Sequence, residues 1–281
     1  MGRYALIGGS LKHTMSPPIH ERLFGLKGRT ADYEVIEIAL DELEGYAKTL
    51  AALDGFNITI PHKQAIIAQC DELAESAKRY NSVNCIDNKN GVLTGYNTDC
   101  DGFIRTISAM GVSLSGRVLL IGCGGVGRMM AIETALAGAK LTVAVLESDM
   151  PLADQAAKEI IAMKPDADIT IVDINSIDAS VGYDLLMNAT PVGMYPKCDA
   201  CPVSDEMIAA ADAVFDVIYN PRETVLIKKA RSQGKPAAGG MAMLVWQAVS
   251  AHEIWDGDSY TEDEVAPIIS EMEEIVERDF K

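Results

Sequence analysis

"GRVLLIGCGGVGRMMAIETALAGAKLTVAVLESD", residues 116–149, decides the fold. The apolar strand "VLLI" runs into a glycine turn, a helix follows, and a second apolar run, "LTVAV", completes a βαβ unit. Gly122, Gly124 and Gly127 stand in G-x-G-x-x-G register. Glycines at those places let the chain turn tightly and bring backbone N–H groups close to a pyrophosphate, which the helix N-terminus stabilises. A strand before the motif and a helix after it favour a dinucleotide fingerprint over a purely structural glycine turn. Glu147, at the end of the second strand, stands where a carboxylate accepts hydrogen bonds from ribose hydroxyls and repels a 2′-phosphate. The nearest basic residues in sequence are Lys140 and Lys158. NAD is therefore expected in preference to NADP. The alternative is that Glu147 faces solvent and Arg128 meets the phosphate.

Strand and helix alternate outward from this unit in both directions. On the C-terminal side, "DITIVD", "YDLLMNAT" and "AVFDVIY" are short β-rich runs. Such alternation predicts a doubly wound parallel sheet. On the N-terminal side, "RYALIG", "DYEVIEI" and "GFNITI" read as strands, and "SPPIHERLFGL" and "ALDELEGYAKTLAAL" as helices. Ser16 suits an N-cap, with Pro17 at the first helical position. "SVNCIDN" and "GVLTGYN" read as a hairpin turned by "NKNG". Thr261 and Glu264 form a capping box for the last helix. The fold class is α/β. Residues 1–104 are expected to form one domain, residues 105–239 a Rossmann-type NAD-binding domain, and helices in 240–281 to return to the first.

Composition narrows the function. The chain has 281 residues, 48% hydrophobic and 23% charged, values of a globular protein with a full core. A formal net charge of −17 argues against nucleic-acid and anionic-membrane partners. No apolar run approaches the roughly 18 residues a membrane helix needs, and the start carries no signal-peptide pattern, so a cytoplasmic location is expected. Six cysteines in a chain of this length are no disulfide framework. Cys198 and Cys201 form a single C-x-x-C, read as an inert loop pair, with redox sensitivity or adventitious metal as the alternatives, and no metal site is expected.

The stretch "GFNITIPHK", residues 55–63, ends a strand on Pro61 and places Lys63 where the following "QAIIAQC" reads as helix. A helix N-terminus disfavours an ammonium, and burial disfavours it further. That position is poor for stability and good for proton transfer near neutral pH. The alternative is a surface lysine with its head in water.

"HTMSP" (13–17), "GFNITIPHK" (55–63), "SVNC" (82–85), "GYNTDCDG" (95–102), "GCGGVGR" (122–128), "NATPVGM" (188–194), "DVIYNP" (216–221) and "GGMAMLVWQA" (239–248) occur in this order. With them the chain resembles the shikimate/quinate dehydrogenase family over nearly its whole length. The resemblance implies an oxidoreductase that interconverts 3-dehydroshikimate and shikimate, or the quinate pair, with a nicotinamide cofactor. It implies a substrate domain, a cofactor domain and an active site in the cleft between them. Lys63 and Asp99 match the family's catalytic pair. Thr14 and Ser16 match the hydroxyls that hold the substrate carboxylate, Thr14 replacing the usual serine. Asn57, Thr59, Asn84, Tyr219 and Gln247 match substrate-contacting positions. Gly122, Gly124, Gly125, Val126, Asn188, Ala189, Thr190, Val217 and Gly240 match positions around the cofactor. "LES" replaces the asparagine-arginine-threonine run of NADP-using members, and Ala242 replaces a usual glycine.

Those residue types suit the chemistry. Oxidising a ring alcohol removes a hydroxyl proton while hydride leaves the same carbon, and a lysine beside a carboxylate can manage the proton. Asp99 opposes the dipole effect on Lys63, because a near carboxylate favours the ammonium. Asp99 also stands at a helix start, where it would cap unless Asn97 or Thr98 does so. Ser16 and Pro17 open a helix whose N–H groups suit an anion. Met243 and Gln247, four residues apart, share a helix face, so the Gln247 amide can meet a polyol hydroxyl. His13 and His20 read as structural, and Trp246 and Trp255 as packing. The expected partner is a small anionic cyclic polyol acid, and the chain is expected to be a monomer or homodimer. The added methyl of Thr14 favours shikimate over the bulkier quinate. Other readings are a quinate or dual-specificity enzyme, a dehydrogenase of a related cyclic acid, and a non-catalytic NAD-binding relative. Retention of both Lys63 and Asp99 argues against the last.

Overall fold

A computed structural model describes residues 1–12 and 14–279. Its contacts divide the chain into two compact units. The first comprises Met1–Gly102 and Leu244–Met272, the second Phe103–Met243 with residues from Glu273 onward. The strands are β1 (Gly2–Gly8), β2 (Ala31–Glu37), β3 (Gly55–Ile58), β4 (Glu72–Leu73), β5 (Cys85–Lys89) and β6 (Val92–Tyr96) in the first unit. In the second they are β7 (Arg117–Ile121), β8 (Lys140–Val145), β9 (Asp168–Asp173), β10 (Tyr183–Asn188), β11 (Ala211–Asp216) and β12 (Ala237–Ala238). The helices are α1 (Ser16–Leu26), α2 (Ala47–Leu50), α3 (Glu75–Tyr80), α4 (Asp99–Ala109), α5 (Gly125–Leu136), α6 (Met150–Met163), α7 (Asp205–Ala209), α8 (Val225–Ser232), α9 (Gly240–Asp256) and α10 (Glu262–Asp279).

The first unit is built on a mixed sheet of order β2-β1-β3-β5-β6-β4. β1 pairs in parallel with β2 and β3, while β3–β5 and β5–β6 are antiparallel. β1 is buried on both faces, as its near-continuous apolar sequence requires. Ala5 and Ile7 enter one core with Ile38, Leu50, Phe56, Ile58 and Ile86. Tyr4 points the other way, to Phe24, Ala251 and Trp255. The β5–β6 hairpin turns on Asn90 and Gly91, both at positive φ (58° and 85°), which the Asn-Gly pair tolerates best.

The second unit is a parallel sheet of order β12-β11-β10-β7-β8-β9. Counted from β7, this is the 3-2-1-4-5-6 order of the doubly wound dinucleotide fold. The strand order reverses between β7 and β10, and the glycine turn leaves β7 at that point. Leu119, Ile121, Leu186, Val214, Leu226 and Ile227 pack its core.

Two helical expectations are corrected. Residues 39–53 form a 3-10 helix over Leu40–Tyr46 and then the single turn α2. Leu43 and Tyr46, three apart, share the inward face, which suits 3-10 periodicity. After Lys63 the chain makes a turn and a five-residue 3-10 helix, Ala65–Gln69. The Lys63 carbonyl accepts from Val83 N at 2.8 Å, so it is not free to start an α-helical ladder.

Candidate functional site

In the first unit, the C-terminal ends of β3 and β6 and the start of α4 bring a polar cluster together. Lys63 Nζ lies 2.6 Å from Asp99 Oδ2, both side chains partly buried. The other carboxylate oxygen, Oδ1, accepts from Asn84 Nδ2 at 2.8 Å. Asn84 Nδ2 also donates to Thr98 Oγ1 at 3.0 Å, while Asn84 Oδ1 accepts from Thr98 N at 2.7 Å. The Thr98 contact fixes which end of the Asn84 amide is oxygen. Gln247 Oε1 stands 3.4 Å from both Asn84 Nδ2 and Thr98 Oγ1, and its Nε2 donates to Leu244 O at 2.9 Å. Asn97 Oδ1 accepts from Asp99 N at 3.1 Å. Asn97 thus takes up the helix-start donor, and the Asp99 carboxylate is left for Lys63 and Asn84.

The helix-dipole argument for Lys63 is corrected by this geometry. Lys63 precedes a five-residue 3-10 helix, not an α-helix, and its head group lies against a carboxylate. A contact at 2.6 Å outweighs the partial charge of so short a helix.

Ser16 is also corrected: it is the first residue of α1, and Met15 occupies the N-cap position. The reason lies in the sequence that follows. Pro18 has no N–H to offer a capping side chain, and Ile19 N already donates to Met15 O at 3.3 Å. Thr14 Oγ1 accepts from Ser16 N at 3.2 Å instead. That spends a lone pair of Thr14 and leaves its hydroxyl hydrogen to donate. Asn57, buried on β3, accepts at Oδ1 from Tyr33 Oη at 2.8 Å. Thr59 follows β3, its N donating to Ile7 O at 2.9 Å. His20 is fully buried and Trp255 Nε1 donates to Ile86 O at 2.9 Å, both inside the fold. Ala242 lies within the unbroken α9. His13 lies outside the described residues.

In the second unit the site is made of backbone. Gly122 has φ +88°, and a Cβ on Gly127 would come within 2.5 Å of the Gly122 carbonyl oxygen. Gly124 and Gly125 have open space where a Cβ would stand, and Val126 is exposed on the first turn of α5. Thr190 Cγ2 and the Ala189 backbone pack against Gly122. Asn188, fully buried, accepts from Thr190 N and Oγ1 at 3.0 and 2.7 Å. A Cβ on Gly240 would overlap the Val217 carbonyl, so that approach admits only glycine. This bare cradle at a helix N-terminus, on the switch point of a doubly wound sheet, fits a dinucleotide. The glycine turn would hold its pyrophosphate. Tyr219 stands in the loop after β11, its phenol pushed up in pKa by burial.

Glu147 is exposed, two residues past the end of β8. Lys140 starts β8, at the opposite end of the strand. Arg128 is held by Glu159 at 2.6 Å. Cys198 and Cys201 are partly buried thiols, and among the described residues no group of three or more His, Cys, Asp or Glu side chains is placed to hold a metal ion. Among the described residues no helix is long and apolar enough to cross a membrane.

Three participants were missed in the sequence. Tyr33 carried no signal beyond its β-propensity. Asp216 is fully buried, accepting from Thr224 Oγ1, Asn188 Nδ2 and Ile218 N at 2.7, 3.0 and 3.1 Å. An acid closing the apolar run "AVFD" was the available clue. Glu159, which holds Arg128, is invisible without the helix pairing.

A family profile described as the shikimate dehydrogenase substrate binding domain matches residues 6–86. The chain is 36% identical over 266 residues to the shikimate dehydrogenase (NADP(+)) of Caldanaerobacter subterraneus subsp. tengcongensis, covering 92% of this chain and 93% of that protein. It is similar to the shikimate 5-dehydrogenase of Thermus thermophilus in complex with NADP(H) and shikimate, with a TM-score of 0.83, 29% identity, and 97% and 100% of the two chains covered. It is similar also to the shikimate 5-dehydrogenase of Listeria monocytogenes in complex with shikimate and NAD, with a TM-score of 0.84, 28% identity and 96% of each chain covered.

Proposed function

The chain belongs to the shikimate dehydrogenase family, oxidoreductases that act on CH–OH groups with a nicotinamide cofactor, and from that premise we propose that it interconverts 3-dehydroshikimate and shikimate with NAD preferred. The observation that carries the reading is the Lys63–Asp99–Asn84 cluster, with contacts of 2.6 and 2.8 Å in the unit that also bears Thr14, Ser16, Asn57 and Gln247.

In reduction, Lys63 gives a proton from Nζ to the forming hydroxyl oxygen. In oxidation the Lys63–Asp99 pair takes that proton back. Asp99 orients the lysine, and Asn84 orients Asp99. The bound nicotinamide cofactor supplies the hydride chemistry. Thr14 and Ser16 offer hydroxyl hydrogens to the substrate carboxylate, and Asn57, Thr59, Tyr219 and Gln247 meet its remaining oxygens. Asn84 already spends both amide hydrogens on Asp99 and Thr98, so its part is to hold the carboxylate in place. Gly122, Gly124, Gly125, Val126, Asn188, Ala189, Thr190, Val217 and Gly240 line the cofactor. The second domain of the enzyme is the NAD-binding one.

One relative named above is named for NADP(+), and the NAD preference is a departure from it. It is supported by Glu147 at the exit of β8, by Lys140 at the far end of that strand and by the engagement of Arg128 with Glu159. Shikimate is favoured over quinate because the Thr14 methyl takes room beside the carboxylate. A quinate hydroxyl forced in without a partner loses about 1–3 kcal/mol.

The test is a set of initial rates with shikimate and quinate, each against NAD and NADP. The expected kcat/KM ratio for NAD over NADP is at least about tenfold, or about 1.4 kcal/mol, and Glu147→Arg moves it towards NADP. Equal efficiency, or a preference for NADP, would sink the cofactor assignment. Thr14→Ser should gain quinate activity relative to shikimate, and no gain removes the steric argument.

A further inference from the structure

Tyr33 belongs to no part of the mechanism above, yet it holds one of its groups. It lies on β2, in register with Tyr4 of β1. The residue is partly exposed, but its hydroxyl end is buried. Burial holds the phenol protonated well above the ordinary range, so it has one hydrogen to give. That hydrogen goes to Asn57 Oδ1 at 2.8 Å. Asn57 Nδ2 faces Asn84 O at 3.5 Å, so a flipped amide would set carbonyl against carbonyl. One hydroxyl therefore fixes the sense of the Asn57 amide.

The ring itself is seated. It stacks on His20 at 4.2 Å between centroids with an interplanar angle of 13°. His20 Nδ1 lies 3.0 Å from His252 Nε2, and His252 is on α9, the helix that carries Gln247. Burial keeps both imidazoles neutral, His252 being pulled down to about 3. The stack thus ties α1, β2 and α9 together beneath the hydroxyl.

We propose that Tyr33 is a positioning residue for substrate binding, fixing the Asn57 carboxamide in the arrangement that receives the substrate. This rests on the reading that Asn57 binds substrate. The experiment is a double-mutant cycle of Tyr33→Phe and Asn57→Ala, with KM for shikimate, KM for NAD, kcat and thermal midpoint measured for each variant. Phenylalanine keeps the ring over His20.

Tyr33→Phe should raise the shikimate KM about tenfold, the worth of one hydrogen bond, with kcat within about threefold and the NAD KM unchanged. In the Asn57→Ala background the same change should move KM less than about twofold, because the group it orients is gone. If Asn57→Ala raises KM and Tyr33→Phe does not, the inference is wrong and the site reading stands. If the two effects multiply in full, Tyr33 is only structural and the inference is again wrong. If Asn57→Ala leaves KM unchanged, the site reading fails at Asn57 and takes this inference with it.

Discussion

The two units prepare for their ligands in opposite ways. The first holds side chains in place by pairing each one: Lys63 to Asp99, Asp99 to Asn84, Asn84 to Thr98, Asn57 to Tyr33. The second removes side chains: it offers bare backbone at Gly124 and Gly125, while Gly122 and Gly127 allow the close packing of the turn. A mixed sheet suits the first strategy, since strands running both ways bring different side chains to one end. A parallel sheet suits the second, since every strand ends at the same edge and a helix N-terminus stands ready there. A substrate read atom by atom needs the first kind of site. A pyrophosphate common to many proteins needs the second.

The contrast is broken most strongly at Lys63. Lys63→Ala should lower kcat by about 100-fold or more and leave substrate affinity within several-fold, as loss of a proton-transfer group does. Steady-state kinetics at neutral pH check this, and a near-normal kcat would end the catalytic assignment. In the second unit, Gly240→Ala should cost about 3 kcal/mol of stability in denaturant unfolding, because the new Cβ meets the Val217 backbone. Gly124→Ala, with open space around it, should leave stability near normal and weaken cofactor binding by fluorescence titration. Equal stability losses would mean that the glycines serve folding alone.

Asp216 sharpens the contrast, being a buried charge in the backbone-built half. Burial pushes its carboxyl up to about 6, against the opposing pull of its bonds to Thr224, Ile218 and Asn188. A folded value above the unfolded one, near 3.8, means that the stability Asp216 contributes is present below the unfolded value and lost as pH rises towards 6. Between about pH 4.5 and 7.5 the parent should lose on the order of 2 kcal/mol relative to Asp216→Asn. A difference flat with pH would show that the carboxyl is not perturbed. The smallest effect belongs to Thr261→Ala, which removes the Thr261–Glu264 box at the start of α10 and should cost about 1 kcal/mol in thermal unfolding.

Much of this was legible because it is local. The glycine turn, the Asn90–Gly91 hairpin and the Thr261–Glu264 box each specify their geometry within a few residues. Lys63 and Asp99 were legible through the resemblance. What failed depended on partners far along the chain. The segment after Lys63 reads as helix until Val83 N claims the Lys63 carbonyl. The 39–53 segment has helical composition, and its inward residues Leu43, Tyr46, Leu50 and Leu53 keep helical spacing, so nothing local announces the 3-10 geometry of Leu40–Tyr46. Ser16 is different, since the missing N–H of Pro18 was in plain view. Tyr33 and Glu159 act across elements, and no spacing announces that.

The Asn90–Gly91 turn has a consequence on the timescale of storage. Asparagine followed by glycine is prone to deamidation, in which the glycine nitrogen attacks the asparagine side chain. Here Gly91 N is already committed, donating to Asn88 Oδ1 at 3.0 Å, while Asn88 Nδ2 is anchored on Ala51 O and Leu53 O. The attacking nitrogen is released only when the hairpin tip opens. Conversion of Asn90, which adds one negative charge to a chain already at −17, therefore runs as a slow clock of how often that tip comes apart.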